Sequence, residues 1–148
     1  MEEFGTNEIH SLDELKDQYE GLEWDVAVET EESIRSEWLI SFPYEYQGSD
    51  SIVAIDTDEF TAVCPWTNLP DYGNLKIIYL PKDHLIELKS LKYYLTQYRN
   101  VGIVQEYAAD RILNDLVSVC KPEQMTIILK YKIRGGLLTT VKSSYTQP

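Results

Sequence analysis

A cysteine followed by a carboxylic acid seven residues later is the pair of side chains best suited to covalent chemistry in this sequence. Cys64 precedes Pro65, and Asp71 follows Pro70. Proline favours a turn or the start of a helix, where backbone N–H groups can stabilise a thiolate. A thiolate is a nucleophile, and a carboxylic acid can protonate the atom it attacks. A small buried cysteine and a turn aspartate would account for the same residues without any chemistry.

A second segment with regularly spaced cations begins at Glu87, sixteen residues after Asp71. Lys89 and Lys92 are three residues apart and would share one face of a helix, which Arg99 continues. Like charges on one face repel each other unless an anion lies against them. Lysine suits flexible phosphates as a point charge, and an arginine such as Arg134 can bind them bidentately. The pattern favours a phosphate clamp, and a solvated helix face is the simpler alternative.

Glu106 stands at the start of a second predicted helix. A carboxylate there offsets the positive end of the helix dipole, which is its structural explanation. It can also accept hydrogen bonds from two adjacent N–H donors of a purine-like ring, which is a functional one. His10 and His84 have no Cys, His or acid at metal-ligand spacing, so we expect no metal site.

Composition limits the class of protein. The chain has 148 residues, 43% of them hydrophobic and 26% charged, as expected of one globular domain. Of its 25 acidic residues, 15 lie in residues 1–50, together with two basic residues. We expect a single domain over 1–148, with an acidic N-terminal extension at about 1–40 and a catalytic core at about 41–148. The remaining 10 acidic and 11 basic residues leave 51–148 close to neutral, and we expect no nucleic-acid partner because phosphate contacts need clustered Lys and Arg over a wide surface.

The apolar runs, the first residues and the cysteines of the sequence predict its compartment and its relation to membranes. The sequence contains no apolar run of membrane-spanning length and begins with acidic residues rather than a signal peptide. Its two cysteines lie in unlike contexts and do not suggest a disulfide framework. We therefore expect a cytoplasmic protein without a membrane partner.

The elements that must position these residues follow from periodicity and turn signals. A capping-box pattern at Ser11 predicts a short helix that Gly21 closes. An alternating stretch predicts a strand at 125–133, and Arg134-Gly135-Gly136 predicts a hairpin turn. The remaining expectations are strands or extended segments at 24–28 and 38–42, a strand at 51–56, a loop at 60–72, a strand at 75–80, helices at 86–99 and 105–120, and a strand at 137–141. From residue 51 onwards the order is ββααββ.

Two predicted helices have apolar faces that identify their buried sides. The first would bury Leu88, Leu91, Leu95 and Tyr98. The second would bury Ala109, Ile112, Leu113, Leu116 and Cys120.

These residues together resemble the QueF family, the nitrile reductases that act on 7-cyano-7-deazaguanine. The resemblance covers about residues 41–141, and its diagnostic motif is Glu-Leu-Lys-Ser-Leu-Lys-Tyr-Tyr at 87–94. The other matching segments are Ser41-Phe42-Pro43, Phe60 to Pro65, Pro70-Asp71, Tyr98-Arg99-Asn100, Glu106, Ile112 to Leu116 and Arg134-Gly135-Gly136.

The resemblance implies an α+β tunnelling fold, an antiparallel ββααββ sheet with helices on one face. It also implies a ring-forming protein, here a homodecamer of two stacked pentamers with active sites between subunits. The implied activity is NADPH-dependent reduction of the nitrile to 7-aminomethyl-7-deazaguanine, in queuosine biosynthesis for transfer RNA. We expect neither a nucleic acid nor a membrane as a partner.

Site roles are implied by the same resemblance. Cys64 would attack the nitrile to give a covalent thioimide, with Asp71 as the general acid. The expected substrate-binding residues are Glu106, Ser90, Gln105 and Glu87. The expected cofactor-binding residues are Lys89, Lys92 and Arg134, which would meet the phosphates of NADPH. Gln105 departs from the pattern of many relatives, which carry histidine at this position. Glutamine can form hydrogen bonds but, unlike histidine, cannot titrate near neutral pH.

Two other functions fit part of the pattern. Amidine-forming relatives act on 7-cyano-7-deazaguanine already in transfer RNA and would keep Cys64 and Asp71, but they do not need the 87–94 run. A non-catalytic ring protein that binds the deazapurine is favoured only by Gln105. Covalent adduct without NADPH consumption, or bound base without either, would distinguish these functions from the reductase.

Overall fold

A four-stranded antiparallel sheet with helices on one face forms the centre of the molecule. The computed structural model describes residues 8–22 and 26–148. Its helices and strands are α1 Leu12–Glu20, β1 Ser41–Pro43, β2 Val53–Val63, β3 Pro70–Leu80, β4 His84–Ile86, α2 Leu88–Thr96, α3 Gln105–Cys120, β5 Gln124–Tyr131 and β6 Thr140–Thr146. The main sheet has the order β2-β3-β5-β6, and β1 pairs with β4 separately. The ββααββ order is confirmed.

The core lies between this sheet and α3. Alternate residues of β5, including Ile127 and Leu129, are fully buried, as a strand with one covered face requires. The predicted apolar face of α3 is also buried, and the helix has the bounds expected from the sequence. Apolar alternation and helical periodicity therefore identified the two surfaces that pack together.

The predicted loop at 60–72 is wrong, because both flanking strands extend into it. β2 continues to Val63, β3 begins at Pro70, and Ala62 pairs with Asp71. The Thr61 hydroxyl donates a hydrogen bond to the Asp71 carbonyl at 2.8 Å. Proline is tolerated as the first residue of a strand, so Pro70 does not break the ladder. The connection is reduced to residues 64–69, which bear the cysteine.

The helix predicted at 86–99 is shorter, and its predicted apolar face packs against the core except at Leu88. Ile86 ends β4, α2 stops at Thr96, and a 3₁₀ helix covers Gln97–Asn100. Leu88 is 62% exposed, whereas Tyr94 is fully buried. Leu88 is the first residue of α2, ahead of the turn that contacts the core, so its side chain projects outward.

The predicted strand pair around the hairpin is also displaced. β5 ends at Tyr131, so Ile133 lies beyond the ladder and is 67% exposed. Gly135 and Gly136 have φ of +58° and +77°, the left-handed backbone that glycine accepts at no steric cost. The predicted return strand at 137–141 is wrong, because β6 runs over Thr140–Thr146. The predicted hairpin turn itself is confirmed by the Arg134–Leu137 bridge.

The described residues of the N-terminal third form an exposed helix and a segment packed on the core. The predicted helix at 12–20 is confirmed; its Ser11 hydroxyl accepts from the Glu14 N–H, and none of its residues is buried. Positions 24 and 25 of the extended segment expected at 24–28 lie outside the described residues. The other expected extended segment, at 38–42, is instead the end of a 3₁₀ helix followed by β1. Ile34 and Leu39 nearby are buried. The division at about residue 40 stays a prediction.

No helix in the described part of the chain is both long and apolar enough to cross a membrane.

Candidate active site

The turn between β2 and β3 presents Cys64. Its N–H donates to the Leu69 carbonyl, and the Asn68 N–H donates to the Cys64 carbonyl, both at 2.9 Å. Asn68 has a φ of +58°, which asparagine tolerates better than most residues. Of the two environments expected beside Pro65, a turn or the start of a helix, the structure has the turn.

The thiol of Cys64 is activated by this turn. Burial disfavours the thiolate, but hydrogen bonds from the Thr67 hydroxyl and from the N–H groups of Thr67 and Trp66 outweigh it. The nearby charge of Asp71 opposes the thiolate as well, yet the net effect is a lowered pKa for Cys64. Cys120 is buried in the core without such donors, and burial raises its pKa to about 12. Cys64 is therefore the cysteine suited to act as a nucleophile.

Replacing Thr67 by valine should shift covalent reactivity of Cys64 to higher pH. The substitution removes one donor to the thiolate and so raises the pKa of Cys64. Thiolate is lost as pH falls through that pKa, so the acid limb of a pH–rate profile should move upward. Alkylation by iodoacetamide between pH 5 and 9 measures this directly. Thr67→Ser keeps the hydroxyl and should resemble the wild type; an unchanged profile for Thr67→Val would exclude the hydroxyl as a cause.

Asp71 lies on β3 rather than in the loop where the sequence suggested it. It is 8% exposed, and its carboxylate forms an ion pair with Arg134, whose Nη1 is 3.2 Å from Oδ1. Asp71 also lies near enough to Cys64 for its charge to act on the thiol. The fold thus brings together three of the predicted residues, Cys64, Asp71 and Arg134.

Gln105 holds Arg134 in this position. The buried Nε2 of Gln105 donates to the carbonyls of Leu129 and Thr139, each at 2.9 Å. Its Oε1 accepts from Nη2 of Arg134 at 3.2 Å. Because both ends of the amide are occupied by protein groups, Gln105 is a positioning residue in this structure; substrate binding by its side chain stays a prediction.

Glu106 is the exposed acid of the cluster. It lies in the first turn of α3 and makes no hydrogen bond or ion pair through its carboxylate with any described residue. Its charge acts on the phenol of Tyr131, as do those of Asp71 and Arg134, so Glu106 lies near the cluster. A free carboxylate at this point can accept hydrogen bonds from a ligand.

The side chains of Glu87 and Ser90 form hydrogen bonds at the start of α2. The Glu87 carboxylate caps the helix, accepting from the N–H groups of Ser90 at 2.7 Å and Lys89 at 2.8 Å, and these bonds lower its pKa. The buried Ser90 hydroxyl donates to the Glu87 carbonyl and accepts from the Ile40 N–H. A substrate-binding role for either side chain stays a prediction.

Lys89 and Lys92 project from α2 into solvent. Lys92 forms an ion pair with Glu59 and, with Arg99, borders a cleft of about 640 Å³ beside β2. Arg134 contacts Asp71 and Gln105 instead and does not line that cleft. Two ammonium groups and one guanidinium suit the phosphates of a dinucleotide, but one chain holds them in two separate groups.

Two residues that complete the cluster had no signal in the sequence pattern. Thr67 acts through a turn hydrogen bond, and threonine is unremarkable in a turn. Tyr131 fits the buried side of an alternating strand, where phenylalanine would fit equally well. In the described ranges no group of His, Cys, Asp and Glu can hold a metal ion.

Comparisons with known proteins agree with one another. A family described as QueF-like protein matches residues 70–148. A relative from Caldicellulosiruptor bescii, named NADPH-dependent 7-cyano-7-deazaguanine reductase, is 47% identical over 131 residues, covering 88% of this chain and 98% of its own. A protein of the same name from Caldanaerobacter subterraneus subsp. tengcongensis is 54% identical over 114 residues, covering 77% and 85%.

A solved structure has the same fold. The archaeosine synthase QueF-Like in its apo form matches with a TM-score of 0.62 over 68% of this chain and 98% of its own. At 21% sequence identity, this match supports the tunnelling fold and nothing finer.

Proposed function

Because this chain belongs to the QueF family and is an NADPH-dependent reductase of 7-cyano-7-deazaguanine, we propose that the cluster around Cys64 and Asp71 is where the nitrile reacts. The observation that carries the assignment is the activated thiol of Cys64 beside the buried carboxyl of Asp71. No other described cysteine combines a lowered pKa with access to the surface.

The first step is addition of the thiolate to the nitrile carbon. The Sγ–C bond forms while one π bond of the C≡N group breaks, and its electron pair moves to nitrogen. The Asp71 carboxylate takes up the proton of the Cys64 thiol as the thiol ionises and donates it to that nitrogen, giving a neutral thioimide and restoring the aspartate carboxylate that pairs with Arg134. A nitrile carbon is a poor electrophile, so covalent addition converts it to a C=N group that accepts hydride more readily.

Lys89, Lys92 and Arg134 would hold the phosphates of NADPH. Bound NADPH supplies the hydrides that reduce the carbon of the substrate to the aminomethyl level. Since one chain keeps the lysines apart from Arg134, two neighbouring copies would contribute to each cofactor site. Glu106 would accept hydrogen bonds from the ring N–H and amino groups of the base.

We propose a homodecamer of two stacked pentamers, which the family resemblance implies and which a site divided between copies supports. Exposed apolar side chains beside α2, among them Trp38, Ile40 and Tyr93, line a second cleft of about 490 Å³ and supply surface for subunit contact. A nucleophilic thiol needs reducing surroundings, so we place the enzyme in the cytoplasm. We assign its product to queuosine biosynthesis.

Replacing both Lys89 and Lys92 by alanine should raise the KM for NADPH about 10²-fold and leave the thioimide intact. Charge-assisted hydrogen bonds contribute about 1.5–3 kcal/mol each, of which solvent exposure removes part. Adduct formation without cofactor, followed by absorbance, is the internal control. Lys76→Ala, which also breaks a surface ion pair, with Asp56, should change neither quantity. Loss of the adduct in the double variant would contradict a cofactor-phosphate role.

Stoichiometry tests the function as a whole. The purified protein is incubated with 7-cyano-7-deazaguanine and NADPH, and the base and the protein are then analysed by mass spectrometry. Two NADPH oxidised per aminomethyl product would support the reductase. An adduct on Cys64 without NADPH oxidation would instead favour amidine formation or binding without turnover.

A further inference from the structure

The hydroxyl of Tyr131 is buried without a hydrogen-bond partner. Tyr131 is the last residue of β5 and is 1% exposed. Among the described residues, its oxygen is the one buried side-chain polar atom that neither donates to nor accepts from another group. Burying an unpaired hydroxyl is unfavourable, so its retention at this position calls for a function.

The ring of Tyr131 is held rigidly in the active-site cluster. The Arg134 guanidinium lies over the ring, with Cζ 4.8 Å from its centroid, and Phe60 stacks against it at 6.3 Å. On β3 the ring faces Gly73, where an added Cβ would come within 2.7 Å of Cδ1. The missing side chain of Gly73 therefore makes room for the ring beside Arg134.

The hydroxyl stays a donor throughout the working pH range. Burial is the main cause that raises the pKa of Tyr131, with contributions from the negative charges of Asp71, Glu106 and Cys64, while Arg134 acts in the opposite direction. The groups that act on the phenol are thus the proposed nucleophile, acid and base-binding carboxylate. A neutral phenol among them can offer its proton to an acceptor on a ligand.

The proposed function leaves several polar groups of the substrate without a partner, and one of them lies beside the nitrile. Cys64 takes the nitrile carbon, Asp71 the nitrile nitrogen, and Glu106 the ring N–H and amino donors. The carbonyl oxygen of the base, next to that ring N–H and on the side of the ring that bears the nitrile, is an acceptor without a donor. We propose that the Tyr131 hydroxyl, which is closed off from solvent in the unliganded chain, donates a hydrogen bond to this carbonyl oxygen when the base enters beside Arg134, and so selects an oxo-purine-like base. The inference rests on the proposed function of the same site.

The isosteric variant Tyr131→Phe separates this role from a structural one. It should raise the KM for 7-cyano-7-deazaguanine about tenfold with little change in kcat, because the bond forms in ground and transition states alike. Its melting temperature should equal or exceed that of the wild type, since an unpaired hydroxyl is removed. Tyr79→Phe is the matched control: it loses a bond from the Ile86 N–H and should be less stable, with an unchanged KM.

A substrate analogue identifies the acceptor. The 6-thio form of the base keeps its N–H donors but offers a weaker acceptor than oxygen. Protein that keeps Tyr131 should bind it about tenfold more weakly than the oxo base, whereas protein with Tyr131→Phe should bind the two alike. Affinities are measured by calorimetry in the Cys64→Ala background, so that neither turnover nor adduct formation is required.

The results test the role of Tyr131 and the proposed function of the site separately. An unchanged affinity in Tyr131→Phe, a lowered melting temperature, or undiminished discrimination between oxo and thio bases would overturn the role of Tyr131 while leaving reduction intact. Absence of NADPH oxidation by the wild type would overturn the proposed function. The calorimetric comparison would still decide whether Tyr131 recognises the carbonyl.

Discussion

Cys64→Ala should abolish the covalent adduct and lower turnover by at least about 10⁴-fold, the largest effect expected of any single substitution in this protein. Alanine cannot attack the nitrile, and without the thioimide the carbon stays too weakly electrophilic to accept hydride. Mass spectrometry of the protein after incubation with the base measures the adduct, and NADPH absorbance measures turnover.

The second cysteine provides the control for this experiment. Cys120 is fully buried on α3 and has a raised pKa, so Cys120→Ala should keep the adduct and lose only some stability. Reduction of the nitrile by Cys64→Ala at a rate near that of the wild type would show that hydride reaches the nitrile without covalent catalysis.

Asp71→Asn should slow formation of the thioimide by about 10²–10⁴-fold, the range that a positioned general acid contributes. Asparagine preserves the size of the side chain but has no acidic proton to give to the nitrile nitrogen. Adduct absorbance in a single turnover, without NADPH, isolates this step from the later ones. The thiol of Cys64 remains, so slow accumulation of the same adduct is expected.

A surface aspartate on the neighbouring strand controls for loss of an ion pair. Asp56 pairs with Lys76 on the same sheet, and Asp56→Asn should leave adduct formation unchanged. If Asp71→Asn formed the adduct as fast as the wild type, water or another group would have to protonate the nitrogen. Asp71 would then be only the partner of Arg134.

Local patterns predicted the parts of the fold that depend on one periodicity. Apolar residues at helical spacing gave the bounds of α3, and alternation located β5 and its buried face. The loop at 60–72 was wrong because Pro65, Asn68 and Pro70 are all turn residues, whereas the pairing of Ala62 with Asp71 depends on the partner strand. The return strand was misplaced for the same reason, since its ladder is set by β5.

The sequence predicted some residues that the fold brings together, but not the contacts between them. The spacing of Cys64 and Asp71, with the resemblance, identified residues that the fold does bring together. The bond between Gln105 and Arg134 joins residues 29 apart in sequence, and nothing in the amide of Gln105 distinguishes holding an arginine from binding a substrate. The functional interest of Tyr131 could not be predicted, because alternation in a strand indicates only that the residue is buried. It does not indicate whether the hydroxyl has a hydrogen-bond partner.

The acidic N-terminal third should exchange its amide hydrogens in two distinct regimes. The segment at 29–39 is tied to the core, since the Glu29 and Gly102 N–H groups bond to carbonyls of Asn100 and Glu29, and Arg111 contacts Glu31 and Ile34. Its protected amides open only with the core. An isolated nine-residue helix such as α1 is marginal in water and buries no side chain, so its amides exchange through local opening. The described residues of the acidic third therefore share an excess of negative charge but unfold as two separate units, α1 and the segment at 29–39.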